Sequence, residues 1–167
     1  QDIMVTAVFE ELNGDEKSII LNEINYHSHP DYNTEDWIEL YVRSGNHNLS
    51  KAYLSDRNNN NRFRFPEGTV LKEGDYLIVA QNSASFKYFF PEIDNVIGDL
   101  GFNIRGDNEQ IRLFDTKGFL YDSIAYSDSI SWLQLSDGGG PTIELISPEL
   151  DGNNPGNWRV SAMPHGS

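Results

Sequence analysis

Alternation of apolar and polar residues with a period of two is the clearest pattern along the chain. It places Ile38, Leu40 and Val42 on one face of a predicted strand, and Trp37 and Tyr41 on the other face, where they could be exposed together. Alternating or continuous apolar runs occupy residues 19–26, 36–42, 49–55, 63–65, 75–81, 96–100, 110–114, 119–126 and 142–146. These runs predict about nine short strands.

The strands follow one another at spacings typical of an antiparallel sandwich, and no sustained 3.6-residue period supplies crossover helices. The sequence therefore predicts an all-β fold without a parallel sheet. Residues 82–93 are compatible with a helix of one or two turns or with a loop, and residues 115–118 predict a tight hairpin. The predicted core includes Ile24, Ile38, Leu40, Ile78, Leu113, Ile124 and Leu145.

Composition and charge exclude several classes of protein. The chain has 167 residues, the usual size of one domain, with 12 Lys and Arg against 26 Asp and Glu. A net charge of −14 disfavours general binding of nucleic acid, and the chain has no cysteine for disulfides or thiolate zinc sites. No apolar run reaches the roughly 18 residues of a membrane span, and residues 1–17 lack the pattern of a signal peptide.

Three groups of motifs together resemble the lamin tail domain in its bacterial extracellular form. They are residues 20–26 with 36–41, then 53–56, 63–69 and 74–79, and finally 111–115, 124–126, 143–148 and Asn157-Trp158. The resemblance implies an immunoglobulin-like antiparallel β-sandwich over residues 18–167, with residues 1–17 as an extra strand or a linker. The chain departs from the family at 163–166, where a turn rich in glycine is usual, and at the apolar run 4–9.

The resemblance also implies a function. The family carries no common catalytic residue, so we expect a non-catalytic module of a bacterial surface or secreted protein, without a cofactor, located outside the cell, at its surface or in the periplasm. Such a module binds another protein or a surface polymer, or spaces neighbouring domains, as a monomer or as part of a larger chain. The alternative is a carbohydrate-binding module that uses exposed aromatic residues, with Trp37 and Tyr41 as the candidates.

Two groups of side chains in the sequence could bind metal ions, and each also has a simpler structural explanation. His27 and His29, with Asp31, Asp36 and Glu39, could ligate zinc, but a polar loop explains them as well. The Asp- and Asn-rich segments at 94–95, 107–108 and 151–154 could bind calcium, but they lack the spacing of a calcium loop and suit turns. No nucleophile elbow or nucleotide-binding motif occurs, so the sequence predicts no metal, cofactor or catalytic residue.

The one basic stretch of this acidic chain is the last candidate site. Residues 43–64 contain five basic residues against Asp56, a net charge of +4, while the remainder carries −18. The run of asparagines at 58–61 predicts an exposed hairpin loop flanked by arginines. Either these arginines pair with nearby carboxylates, or they bind an anionic partner. The candidate partner-binding residues here are Arg57, Asn58, Asn60, Arg62 and Arg64.

Overall fold

A computed structural model describes residues 17–28, 30–127 and 142–162. The strands are β1 (Ile19–Asn25), β2 (Trp37–Val42), β3 (Asn46–Asn48), β4 (Tyr53–Ser55), β5 (Arg62–Arg64), β6 (Val70–Lys72), β7 (Tyr76–Ala80), β8 (Val96–Ile97), β9 (Asn108–Phe114), β10 (Leu120–Ser127), β11 (Ile143–Leu145) and β12 (Trp158–Val160). One α-helix, α1 (Ser83–Phe89), follows β7. Short 3-10 turns occupy Pro30–Tyr32 and Pro155–Asn157.

The strands form an all-β sandwich, as the alternation predicts. A six-stranded sheet has the order β12-β11-β1-β2-β7-β8, a four-stranded sheet has the order β10-β9-β4-β5, and β3 pairs with β6 in a small third sheet. The twelve described strands exceed the predicted nine because several are only two or three residues long. The expectation of purely antiparallel pairing is wrong at one place, where β8 pairs parallel to β7 after the chain has crossed over through α1.

The main core lies between the two large sheets, and all seven residues that the sequence predicts as core are buried. Alternate residues of β2 are fully buried because they face the four-stranded sheet. Six of the predicted residues belong to this main cluster, namely Ile24, Ile38, Leu40, Leu113, Ile124 and Leu145. Ile78 is also buried, but in a second cluster on the other side of the six-stranded sheet. Burial of these aliphatic side chains is the main source of stability.

Helix α1 resolves the alternatives left open for residues 82–93. Asn82 caps its first turn, since the side-chain oxygen accepts a hydrogen bond from the Ser85 amide at 3.0 Å. Phe86 then points onto the sheet and packs edge-on against Trp37, with ring centroids 5.7 Å apart. The helix therefore covers one end of the outer face of the six-stranded sheet.

The hairpin between β9 and β10 is formed by the turn that the sequence predicts. The Asp115 carboxylate accepts hydrogen bonds from the amides of Lys117 and Phe119, both at 2.8 Å. Gly118 has a φ of +87°, which favours glycine over any residue with a side chain. This turn joins β9 to β10, which pair at seven positions with a shift in register between Leu120 and Asp122.

The C-terminal strands complete the six-stranded sheet. Strand β11 pairs with β1 through Glu144 opposite Glu23 and Ile143 opposite Ile24, and β12 then pairs with β11. Trp158 belongs to the main core, and its Nε1 donates to the Gly152 carbonyl at 2.7 Å. Among the described residues, no helix has the length and apolar character to cross a membrane.

Candidate partner-binding site

The loop between β4 and β5 is the exposed hairpin loop that the sequence predicts, with one difference. Residues 57–60 are exposed, but Asp56 is buried. Its carboxylate accepts hydrogen bonds from the Asn58 amide at 2.8 Å and from Asn61 Nδ2 at 2.7 Å. Asp56 therefore fixes the shape of the loop from inside and does not contribute an exposed negative charge to it.

The arginines of this hairpin contact neutral oxygen atoms. Arg57 donates to the side chain of Asn108 at 2.6 Å, Arg62 to the Asn59 carbonyl at 3.0 Å, and Arg64 to the Lys51 carbonyl at 3.4 Å. None of the ion pairs within residues 17–28, 30–127 and 142–162 includes these three side chains. Within the described residues, none of these guanidinium groups is therefore in an ion pair, although the main-chain amide of Arg57 donates to the Glu109 carboxylate at 3.1 Å.

Stacked rings and guanidinium groups cover the outer face of the four-stranded sheet. The rings of Tyr53 and Phe114 stack with centroids 4.8 Å apart. The guanidinium carbons of Arg62 and Arg64 lie 4.9 and 5.5 Å from the centroid of Tyr53, and that of Arg112 lies 5.6 Å from the centroid of Phe114. We call these five residues the arginine–aromatic face.

Strand register explains how residues far apart in sequence form this face. Tyr53 lies opposite Arg64 on one side and opposite Phe114 on the other, while Ser55 lies between Arg62 and Arg112. The contributions of Tyr53, Phe114 and Arg112 were not predicted. Alternation alone gives the shared face of residues within one strand, but it does not say which strands are neighbours.

Trp37 and Tyr41 do not form the exposed aromatic pair that the sequence predicts, and they lie on the other large sheet. Trp37 is only 3 % exposed because α1 packs over it, so the prediction of an exposed Trp37 is wrong. Tyr41 is half-buried, and its ring lies 4.6 Å from that of Tyr76. The structure therefore brings Arg62 and Arg64 together at Tyr53, places Arg57 beside Asn108, and separates all three from Trp37 and Tyr41.

The comparison with protein families agrees with this fold. A family model described as Lamin Tail Domain matches residues 14–128, which is more than half of the chain. The chain belongs to the lamin tail domain family. The resemblance to the lamin tail domain is thereby confirmed, as is the immunoglobulin-like sandwich that it implies. A comparison with curated proteins found no match.

The metal-competent side chains of this lamin tail domain do not form a cluster within the described residues. His29 lies outside the described residues, and among those described no three His, Asp or Glu side chains are grouped so as to hold an ion. The Asp- and Asn-rich segment at 151–154 serves turns, as the Asp151 carboxylate accepts from the Asn153 amide and Asn154 accepts from the Gly156 amide, both at 3.0 Å.

A row of glutamates lies on the outer face of the six-stranded sheet of the lamin tail domain. Glu23 pairs with Glu144 on one side and with Glu39 on the other. Thr142 donates a hydrogen bond to Glu23, and Arg159 donates one to Glu144. Beside them is an open pocket of about 340 Å³, whose lining includes Asn22, Tyr76 and Pro148.

The carboxyl group of Glu39 in this row is shifted from its ordinary pKa. Its pKa is raised from the ordinary 4.5 to about 7, chiefly because the group is buried; the hydrogen bond from Asn22 Nδ2 at 2.8 Å opposes this shift, and the nearby Glu144 carboxylate adds a smaller increase. The pKa of Glu39 therefore lies close to neutral pH, and the group is partly protonated there. The sequence shows only an outward-facing glutamate and gives no sign of this burial.

Proposed function

We propose that this lamin tail domain is a non-catalytic interaction module of a bacterial surface or secreted protein. Its partner is an anionic protein or surface polymer, which binds the arginine–aromatic face and the adjoining loop of residues 57–60. The observation that carries the proposal is the set of guanidinium groups of Arg57, Arg62 and Arg64, which are exposed and which, within the described part of the chain, donate to neutral oxygen atoms and form no ion pair. The resemblance to the bacterial extracellular form supports a place outside the cell, at its surface or in the periplasm.

The distribution of charge supports an anionic partner. Residues 43–64 carry +4 in a chain whose remainder carries −18, so positive charge is concentrated in the stretch of sequence that contains the hairpin. An anion that approaches elsewhere is repelled, and one of matching shape is attracted to the arginines. Stacking on Tyr53 holds Arg62 and Arg64 in place, which reduces the entropy that binding costs.

A charge reversal tests this proposal. Arg57→Glu combined with Arg62→Glu is expected to weaken binding to immobilised polyglutamate or alginate by about tenfold or more and to flatten its dependence on salt, because attractive charges become repulsive. The melting temperature should change by only a few degrees, since both residues are exposed. Surface plasmon resonance at several salt concentrations measures both the affinity and its salt dependence.

A double reversal elsewhere is the matched control. Lys72→Glu with Arg105→Glu changes the net charge by the same amount at two exposed positions outside β4, β5 and β9. If both double variants lose binding equally, only the net charge matters and the arginine–aromatic face is not the site. Unchanged affinity and salt dependence of the Arg57/Arg62 variant would contradict the proposal outright.

Carbohydrate binding is a second candidate, and the position of Tyr76 favours it. Tyr76 is 44 % exposed and lines the pocket together with Asn22 and Glu39, a combination of ring and hydrogen-bonding groups that suits a sugar. On this hypothesis, Tyr76→Ala abolishes retardation in affinity gels containing a neutral polysaccharide, and the Arg57/Arg62 reversal leaves it intact. Equal retardation of wild-type protein and Tyr76→Ala would exclude this pocket as a sugar site.

A further inference from the structure

We infer that the partner presents an extended acidic segment, which adds as a strand to the open edge of β5 with alternate carboxylates against Arg62 and Arg64. This inference deepens the proposed function and rests on it, because it names the class of partner for the same site. It predicts a recognition pattern of acidic, apolar and acidic residues in succession, with the main chain of the segment bonded to the main chain of β5.

The hydrogen-bond pattern of β4 and β5 leaves main-chain groups available at this edge. The Phe65 amide donates to the Ala52 carbonyl at 2.9 Å, and hydrogen-bonded pairs alternate along an antiparallel ladder. Phe63 therefore faces β4, whereas the N–H and C=O groups of Arg62 and Arg64 point to the opposite side. Strand β5 is the last strand of its sheet among the described residues, so these groups lie at an open edge.

The side chains at the edge match a segment with alternating acidic residues. Arg62 and Arg64 are exposed on the outer face, while Phe63 between them is buried and packs edge-on against Phe65, with centroids 5.5 Å apart. Residues directly opposite each other on neighbouring strands share a face, so carboxylates paired with the two arginines lie two residues apart. The residue between these carboxylates lies on the side of Phe63, where an apolar side chain fits.

The arginines also explain which segments the edge rejects. Charged residues on an edge strand ordinarily prevent pairing with other chains, because neutral apolar strands would have to desolvate the charge. The same charges exclude basic segments by repulsion and become favourable only when carboxylates oppose them. An edge with two arginines is therefore open selectively to acidic strands.

The observations favour a peptide over a polysaccharide at this edge. A polysaccharide has no regular succession of amide and carbonyl groups to match those of Arg62 and Arg64. The Tyr53 ring is also unavailable for stacking with a sugar, because Phe114 covers one side and the two guanidinium groups cover the other. The edges of the guanidinium groups remain accessible, and their N–H groups can donate hydrogen bonds to carboxylates.

Synthetic peptides test the inference on the whole 167-residue protein. The probe is Thr-Glu-Val-Glu-Val-Glu-Thr, and its two controls are a peptide of the same composition with the glutamates consecutive and the probe with N-methyl groups on its glutamate nitrogens. The probe is expected to bind at least about tenfold more tightly than either control, because only it combines the spacing with the main-chain bonds. Fluorescence anisotropy of labelled peptides gives the three affinities.

The variants separate this inference from the function on which it rests. Arg62→Glu with Arg64→Glu should abolish binding of the probe, while Lys72→Glu with Arg105→Glu should retain it. The probe and the N-methylated peptide could bind equally well, with both losing binding to the Arg62/Arg64 variant. This result would overturn strand addition but would leave an anion-binding site at the arginines. Binding of alginate without binding of any peptide would also overturn the inference and would favour a polymer partner. Binding of neither would count against both proposals.

Discussion

Replacing Leu40 with alanine is expected to lower the free energy of unfolding by about 2 to 5 kcal/mol. Leu40 is fully buried in the centre of β2, where it pairs with Leu21 of β1 and Leu77 of β7. The substitution removes apolar contacts and leaves a cavity that the neighbouring strands cannot close without breaking their register. Urea denaturation followed by circular dichroism measures the change.

Leu120→Ala is the matched control for this prediction. It makes the same chemical change at a leucine that is 41 % exposed at the start of β10, so we expect a loss below about 1 kcal/mol. A loss below about half a kcal/mol for Leu40→Ala would show that Leu40 does not face the core. Equal losses for the two variants would show that burial in the sandwich does not determine the cost.

Glu39→Gln is expected to stabilise the protein at high pH and to have little effect at low pH. The pKa of Glu39 in the folded protein is about 7, above the ordinary 4.5, because burial disfavours its charged form. Below about pH 4.5, Glu39 is protonated in both the folded and the unfolded protein, so the stability that its protonated form contributes is fully present. This stability is lost as the pH rises towards and through 7, because Glu39 ionises freely in the unfolded chain, whereas its ionisation in the folded protein leaves a charge buried. Glutamine removes this loss.

The expected gain is at most about 3 kcal/mol at pH 8, from the size of the pKa shift, and close to zero at pH 4. Unfolding measured at pH 4, 6 and 8 for both proteins gives the difference at each pH. Asp36, whose pKa burial raises to about 6, affects wild type and variant alike and cancels in the comparison. Glu92→Gln, at an exposed position, controls for the general loss of one negative charge. A gain equal at all three pH values would contradict the assignment to Glu39.

The core could be predicted from the sequence because alternation reports directly which residues of one strand share a face. Ile38 and Leu40 are examples, and both are fully buried. The environment of Trp37 could not be predicted in this way, because its outer face is covered by a helix that begins at Ser83. Periodicity within a strand gives no information about a covering element that comes much later in the chain.

The candidate site was predicted only in part, for a related reason. The charge imbalance of residues 43–64 indicates the hairpin arginines, since charge can be counted along the chain. The pairing of β4 with β9, which adds Phe114 and Arg112 to the face, joins segments more than fifty residues apart. The buried Asp56 likewise depends on the fold of a loop rather than on its composition.

The place of β1 between β2 and β11 determines where this domain can be cut for recombinant work. Six of the seven residues of β1 are buried, and β11, which covers one of its edges, lies beyond the residues that match the family model. A fragment trimmed to residues 14–128 would present β1 as a long apolar edge, a form prone to aggregation and domain swapping. Expression fragments and fusions therefore need residues 142–162, whose strands shield that edge.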